Sequence, residues 1–391
     1  MQTDCSELLD KYKDILLLLN GLNEKERAKL VGGCVRDFLL TKKISNDVDI
    51  STILQPKEVV EILDKYRLNA DKKYIILDKD ISYGTIVVII DDVRYEITTT
   101  RSDIACFGRE AKVEFCQDFQ NDSNRRDFTI NALYLGLDGK ILDFHDGLND
   151  LKNGVIRFIG NPKQRIEEDF LRIIRFFRFA TKFNFFAFDS DIIETIKLTK
   201  YGLKHISRER IRSEIFKLLE YDNWFLGLKK IVENGLSEEI FCQKDVKINN
   251  ESANFVCDKI VELFYFFNFD VAILNSFKQS FKFTKDEMKF TDFLTSFWEL
   301  SNGGKDFNID AKMLIFHAKN EFIKDIFHIL DKKIANQLEI FLSKQKLLKI
   351  TANELMKLGY SGKDLGDKIS KLEKKWVRSD FQLSNEELLK D

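Results

Sequence analysis

The spacing of apolar residues changes repeatedly along the first part of the chain. In Glu7–Leu19 and Pro56–Tyr66 they recur at helical spacing, which predicts two amphipathic helices. Around these lie short β-branched runs, Val48–Thr52, Tyr83–Ile90, Arg94–Thr100 and Lys140–Phe144, that read as strands. Within Thr85–Thr98 the pair Asp91-Asp92 separates two strand-like runs, the signature of a hairpin. After about Lys163 the strand pattern stops. Amphipathic helical stretches follow, among them Ile166–Phe183, Arg208–Leu219 and Glu321–Leu348, broken by Gly and Asn. The predicted fold class is α+β: a mixed β-sheet domain with helices up to about Gly147, then an all-helical remainder.

Composition sharpens this outline. With 391 residues, 44% hydrophobic and 32% charged, the chain can bury the cores of several domains, and global disorder is excluded. Its 35 Phe and two Pro (Pro56 and Pro162) suit helices packed by aromatics and exclude a proline-rich linker. The six cysteines contain no CxxC pair and there are four histidines, which argues against a zinc site or a His-rich metal centre. The lone His145-Asp146 dipeptide lacks further His and Asp partners. A polar, acidic N-terminal stretch and the lack of an 18-residue apolar run predict a cytoplasmic protein with no membrane partner. No obligate protein partner is evident.

A net charge of −2 argues against holding nucleic acid by bulk positive charge, but the sum hides a local excess. Residues 340–379 carry ten Lys or Arg and four acids, a balance of 10 − 4 = +6. Gly359-Tyr360-Ser361-Gly362-Lys363 opens a helix there and suits a backbone phosphate. A shape-read RNA duplex fits this stripe, and so does a solvated lysine-rich face.

Candidate chemistry lies nearer the N-terminus. In Leu30–Leu40 (LVGGCVRDFLL) an apolar strand end runs into Gly32-Gly33 and a helix start, where bare backbone and free N–H groups can approach phosphate and Arg36 adds a forked cation. Asp47 and Asp49 stand at i, i+2 in a strand-like run, so both carboxylates share one face, a hard-oxygen pair suited to Mg²⁺. Glu96 joins them if its strand lies alongside. Asp127 and Asn131, at i, i+4 on one face of a helix turn, offer an acceptor and an amide for a ribose edge. Asp169 and Arg172, at i, i+3, can read a nucleobase edge, and Arg172, Arg175 and Arg178 form a basic stripe backed by Phe and Ile. Singly, each segment also fits an ordinary turn, cap or helix salt bridge.

Together the segments resemble the class II tRNA nucleotidyltransferases, the CCA-adding enzymes and their bacterial poly(A) polymerase relatives. The resemblance rests on LVGGCVRDFLL, Asp47–Asp49 (DVD), Arg125–Ala132 (RRDFTINA), Asp143–Leu151 (DFHDGLNDL) and Glu168–Arg172 (EDFLR). It is strong over about residues 25–220, faint through 244–336, and returns near Ile350–Leu389. It implies a nucleotidyltransferase-type head (1–147), a helical neck (148–220), a body (221–320) and a tRNA-binding tail (321–391). It further implies template-independent addition of C, C and A to the tRNA 3′ end from CTP and ATP. Asp47 and Asp49 would carry two Mg²⁺ ions, with Glu96 as a third catalytic acid. Gly32, Gly33 and Arg36 would hold the triphosphate, and Asp127 and Asn131 the ribose. Asp169 and Arg172 would pair with the base, with Arg126, Arg175 and Arg178 completing the nucleotide site. Lys363, Lys371, Lys374 and Lys375 would contact RNA.

The chain departs from the family at Phe170, where Pro is usual. Thr98–Phe115 occupies the place of a flexible loop whose presence favours full CCA addition over CC-only or A-only addition. A longer insertion typical of the poly(A) polymerases is absent. An antibiotic nucleotidyltransferase would need neither the Asp169/Arg172 pair nor the helical body, and a retired scaffold would be expected to lose Asp47 and Asp49.

Overall fold

A computed structural model of the protein describes residues 4–21, 26–69, 74–77, 81, 84–107, 110–251, 257–301 and 303–390, without the side chains of 67–69, 102–107 and 110–114. Two compact units divide it, residues 1–206 and 207–391.

The strands of the first unit are β1 (Ala28–Val31), β2 (Asp47–Thr52), β3 (Tyr74–Leu77), β4 (Thr85–Ile90) and β5 (Val93–Thr99). They continue with β6 (Arg101–Phe107), β7 (Glu110–Phe115), β8 (Leu133–Leu135) and β9 (Ile141–Asp143). Its helices are α1 (Ser6–Asn20), α2 (Gly33–Thr41), α3 (Pro56–Asn69) and α4 (Phe119–Asn124). After these come α5 (Gly147–Asn153), α6 (Pro162–Glu168), α7 (Leu171–Phe183) and α8 (Ser190–Thr199). Seven strands form one mixed sheet in the order β3-β4-β5-β2-β1-β8-β9, and β6-β7 form a separate hairpin.

The β2–β5 pair is parallel and the other ladders are antiparallel. Parallel neighbours need a crossover, supplied here by α3 and the β3–β4 hairpin. The predicted turn at Asp91-Asp92 is present, with φ of 47° and 67°, as a two-residue hairpin turn demands. The patterns for β3 and β8 escape the sequence because these strands are four and three residues long. All three β8 residues are buried, so polar alternation is lost.

The predicted helix Ile166–Phe183 is broken. Asp169 adopts an extended backbone (φ −152°, ψ 102°) that ends α6, and its carboxylate accepts the N–H of Leu171 at 3.2 Å to start α7. Aspartate favours such a cap over a helix interior. Both prolines stand at helix starts, Pro56 in α3 and Pro162 in α6, where the missing N–H costs nothing.

The second unit is helical among its described residues, from α9 (Arg208–Leu218), α10 (Trp224–Glu233), α11 (Ser237–Phe241) and α12 (Lys259–Phe266) onward. Next come α13 (Val271–Ser280), α14 (Lys285–Leu300), α15 (Ile309–His317) and α16 (Asn320–Ile326). The last are α17 (Lys332–Lys344), α18 (Ala352–Lys357), α19 (Gly362–Arg378) and α20 (Asn385–Leu389). The predicted Glu321–Leu348 helix is interrupted by a 3₁₀ turn at Phe327–Ile329, after which Asp331 caps α17 through the N–H of Lys333 at 2.8 Å. Phe241, Phe264, Phe266, Phe267, Phe277 and Phe281 are fully buried, so the phenylalanines build this unit's core. No helix among the described residues is long and apolar enough to cross a membrane.

Candidate active site

The parallel β2–β5 ladder brings the acids together. Asp49 stands opposite Glu96 and Asp47 opposite Arg94, so the carboxylates at 47, 49 and 96 face one patch. Arg94, which sequence reasoning missed, bridges two of them: its guanidinium donates to Asp47 at 2.6 Å and to Glu96 at 2.9 Å. The signal was available, since Arg94 and Glu96 are i, i+2 on one strand face. Asp49 sits deeper. Burial, followed by repulsion from Glu96, pushes its carboxyl up to about 6, against the pull of Arg126.

An acid desolvated beside two others is relieved by a cation. Among the described residues no three His, Cys, Asp or Glu side chains converge closely enough to hold an ion unaided. One or two carboxylates, completed by water and phosphate oxygens, are the kind of donor set a hard divalent cation accepts.

Gly32 forms the turn between β1 and α2 with φ +71°, a backbone that disfavours other residues. A Cβ there would lie 3.3 Å from Asp49 Oδ2 and 3.5 Å from Arg126 Nη1, so the turn runs close between an acid and a cation. Gly33 opens α2, and its N–H donates to Asp49. The helix terminus thus already points at the carboxylate patch.

Arg36 lies beside this turn, where a Cβ on Gly33 would be 3.8 Å from its Nη2 and 3.8 Å from Asp49 Oδ2. It is buried, donates to Asp37 and to the side-chain oxygen of Asn131, and lies over the rings of Phe179 and Phe183. Asp127 and Asn131 are hydrogen-bonded at 2.9 Å, through a 3₁₀ turn (Thr129–Asn131) rather than the expected α-helical turn. The other oxygen of Asp127 takes Arg175 at 2.6 and 2.8 Å. Although burial alone would raise it, Arg175 and the Asn131 amide hold the Asp127 carboxyl well below the ordinary range.

The start of α7 carries the Asp169 and Arg172 pair. Arg172 donates to Glu168 at 2.7 Å and to the carbonyl of Arg165 at 2.5 Å, and its backbone N–H donates to the Asp169 carbonyl at 3.0 Å. Arg178 is buried with its guanidinium over Phe179. Phe170, in the position of the family's proline, packs onto Gly202, where a Cβ would meet its ring at 2.1 Å. Arg165, also unforeseen, donates to the carbonyls of Arg125 and Arg126 at 2.5 and 2.6 Å and so ties α6 to the Arg125–Ala132 segment.

In the second unit, α19 carries six of the ten basic residues of the stretch, and Ser361-Gly362 forms its exposed entry. Lys363 and Lys371 are exposed. Lys374 pairs with Asp310 at 3.0 Å, and Lys375 donates to the carbonyl of Lys390.

Residues 28–157 match the model of the poly A polymerase head domain, and 185–246 that of the probable RNA and SrmB-binding site of polymerase A. The chain is 30% identical to the zebrafish (Danio rerio) mitochondrial CCA tRNA nucleotidyltransferase 1, over all of this chain and 93% of that protein. It is 32% identical to the CCA-adding enzyme of Ligilactobacillus salivarius, over 98% of this chain and 87% of that one. The fold matches the Bacillus stearothermophilus CCA-adding enzyme in complex with CTP (TM-score 0.73, 23% identity, 94% of this chain and 93% of that one). It also matches the Thermotoga maritima CCA-adding enzyme complexed with tRNA (TM-score 0.68, 22% identity, 98% and 97%).

Sheet, carboxylate patch and glycine turn therefore define a nucleotidyltransferase, a class that generally works with divalent metal ions. Within that class the chain belongs to the CCA-adding tRNA nucleotidyltransferase family.

Proposed function

We propose that the protein adds C, C and A in succession to the 3′ end of tRNA from CTP and ATP, without a nucleic-acid template, releasing pyrophosphate at each addition. The observation carrying this reading is the likeness to CCA-adding enzymes along the whole chain, helical half included. In this proposal residues 1–147 are the catalytic head, 148–220 the neck, 221–320 the body and 321–391 the tRNA-binding tail. The cytoplasm is the proposed compartment.

Asp47 and Asp49 would hold two Mg²⁺ ions beside Glu96. When bound, such ions lower the pKa of the attacking 3′-hydroxyl and neutralise charge on the leaving phosphates. The chain's own groups supply position and field. Gly32 and Gly33 let the triphosphate reach the α2 terminus, where Arg126 faces it. Asp127 and Asn131 read the ribose, held by Arg175 and by Arg36, whose charge acts on the phosphates from behind. Asp169 and Arg172 read the base, Arg172 exchanging Glu168 for the base edge and Arg178 adding positive charge. Lys363, Lys371, Lys374 and Lys375 meet backbone phosphates of the tRNA.

The test offers tRNA ending before the first C, after C and after CC, with CTP, ATP or both. Full CCA on all three substrates is expected. Arrest after CC, addition of A alone, or a growing A tail would each replace the proposal with the corresponding CC-only, A-only or poly(A) activity.

A further inference from the structure

Asp122, in α4, is fully buried, and its carboxylate gathers four side chains. Oδ1 takes Arg125 at 2.6 and 2.8 Å. Oδ2 accepts from Arg126 Nη2 at 3.1 Å and Nε at 3.3 Å, from the Tyr134 hydroxyl at 2.8 Å and from Ser51 Oγ at 3.2 Å. The Tyr134 hydroxyl in turn accepts from Arg126 Nε at 3.0 Å.

One edge of the Arg126 guanidinium, Nε and Nη2, is thus fixed from inside the protein. The remaining nitrogen, Nη1, lies on the other side: it donates to the Asn131 carbonyl at 3.4 Å and would lie 3.5 Å from a Cβ on Gly32, beside Asp49 Oδ2. Ser51 shares the face of β2 that bears Asp47 and Asp49, so the same carboxylate anchors the metal strand and the cation opposite it. With Asp122 at −1 and the two arginines at +1 each, the cluster presents a net charge of +1 toward the Gly32 turn. A planar fork held on one edge, with one Nη1 N–H steadied by the Asn131 carbonyl, keeps its remaining Nη1 N–H on the Gly32 side at a lower entropic cost on binding phosphate.

We propose that Asp122, seconded by Tyr134, is a positioning residue that holds Arg126 with its Nη1 edge toward the triphosphate of the incoming nucleotide. This rests on the reading of Arg126 as a phosphate-facing cation, and the experiment separates the two. Asp122→Asn and Tyr134→Phe are made alone and in an Arg126→Ala background, in the full chain. Calorimetry then measures binding of CTP, ATP and cytidine, and turnover gives KM and kcat.

Asp122→Asn is expected to weaken CTP and ATP about tenfold each, largely in KM, with cytidine bound as by the parent; Tyr134→Phe should do the same about threefold. In the Arg126→Ala background neither change should weaken the triphosphates further. Equal losses for cytidine and CTP, or full additivity with Arg126→Ala, would overturn the positioning role. Unchanged triphosphate affinity in Arg126→Ala alone would instead overturn the reading on which it rests. If Asp122→Asn does not fold, the Tyr134→Phe cycle decides by the same criteria.

Discussion

At the residue scale, the proposed metal-binding acids are distinguished by how little one of them contributes to the fold. The Asp47 side chain is 68% exposed, and its one described ion-pair partner is the accessible Arg94. Such a pair contributes at most about 1 kcal/mol to stability. Asp47→Ala should therefore abolish nucleotide incorporation with Mg²⁺ while shifting the melting temperature by only a few degrees, read by primer extension and calorimetry. Substantial residual turnover would remove Asp47 from the metal site.

Glu262 in α12 makes the opposite case, a buried acid outside that site. Its Oε2 has no hydrogen-bond partner among the described residues, and burial, aided by Asp258, pushes the carboxyl up to about 7. The native protein keeps a proton that the unfolded chain releases near the ordinary value of 4.5. Stability should then fall as pH rises from about 4.5 to 7 and level off above. Glu262→Gln should flatten that slope and raise the urea midpoint at pH 8 but not at pH 4. A parallel slope in the variant would assign the dependence to another group.

At the scale of elements, α7 is bolted to earlier parts of the first unit by ion pairs, Arg175 to Asp127 and Lys182 to Asp37, that the sequence does not announce. Arg175 neutralises a buried Asp127, so Arg175→Ala leaves a carboxylate stranded and should cost about 3–5 kcal/mol, a loss that Asp127→Asn should partly restore. Chemical denaturation of the single and double variants reads this directly; additive losses would show that the pair is uncoupled. The break before α7 follows the same logic. Helical spacing runs through Ile166–Phe183, yet Asp169 gains more as a cap, and Phe170 occupies the space that Gly202 leaves open. The periodicity was legible and the interruption was not, because a cap and a glycine 32 positions downstream decide it together.

On the scale of the whole molecule, a near-zero net charge coexists with a basic α19, whose lysines are not equivalent. Lys363 and Lys371 are exposed, whereas Lys374 and Lys375 are engaged with Asp310 and the Lys390 carbonyl. Reversing Lys363 and Lys371 to Glu should weaken tRNA binding at least tenfold at low salt and lower the salt slope by about 2, one for each phosphate no longer neutralised. Reversing Lys374 and Lys375 should do less to affinity and more to stability. Filter binding across a salt series separates them, and affinity and salt slope like the parent's in both variants would return the stripe to a solvated face.

Local sequence was enough to specify the α+β-then-helical order, the carboxylates at i, i+2, the Gly-Gly turn and the hairpin at Asp91-Asp92, because each is written in short-range spacing and in the φ a residue tolerates. Which partners those groups take was settled by tertiary folding alone. It set Glu96 beside Asp49, gave Arg36 to Asn131 and Arg172 to Glu168, and gathered Ser51, Arg126 and Tyr134 on Asp122. A hydrogen bond or ion pair between residues distant in the chain depends on strand order and helix packing, and no local pattern encodes it.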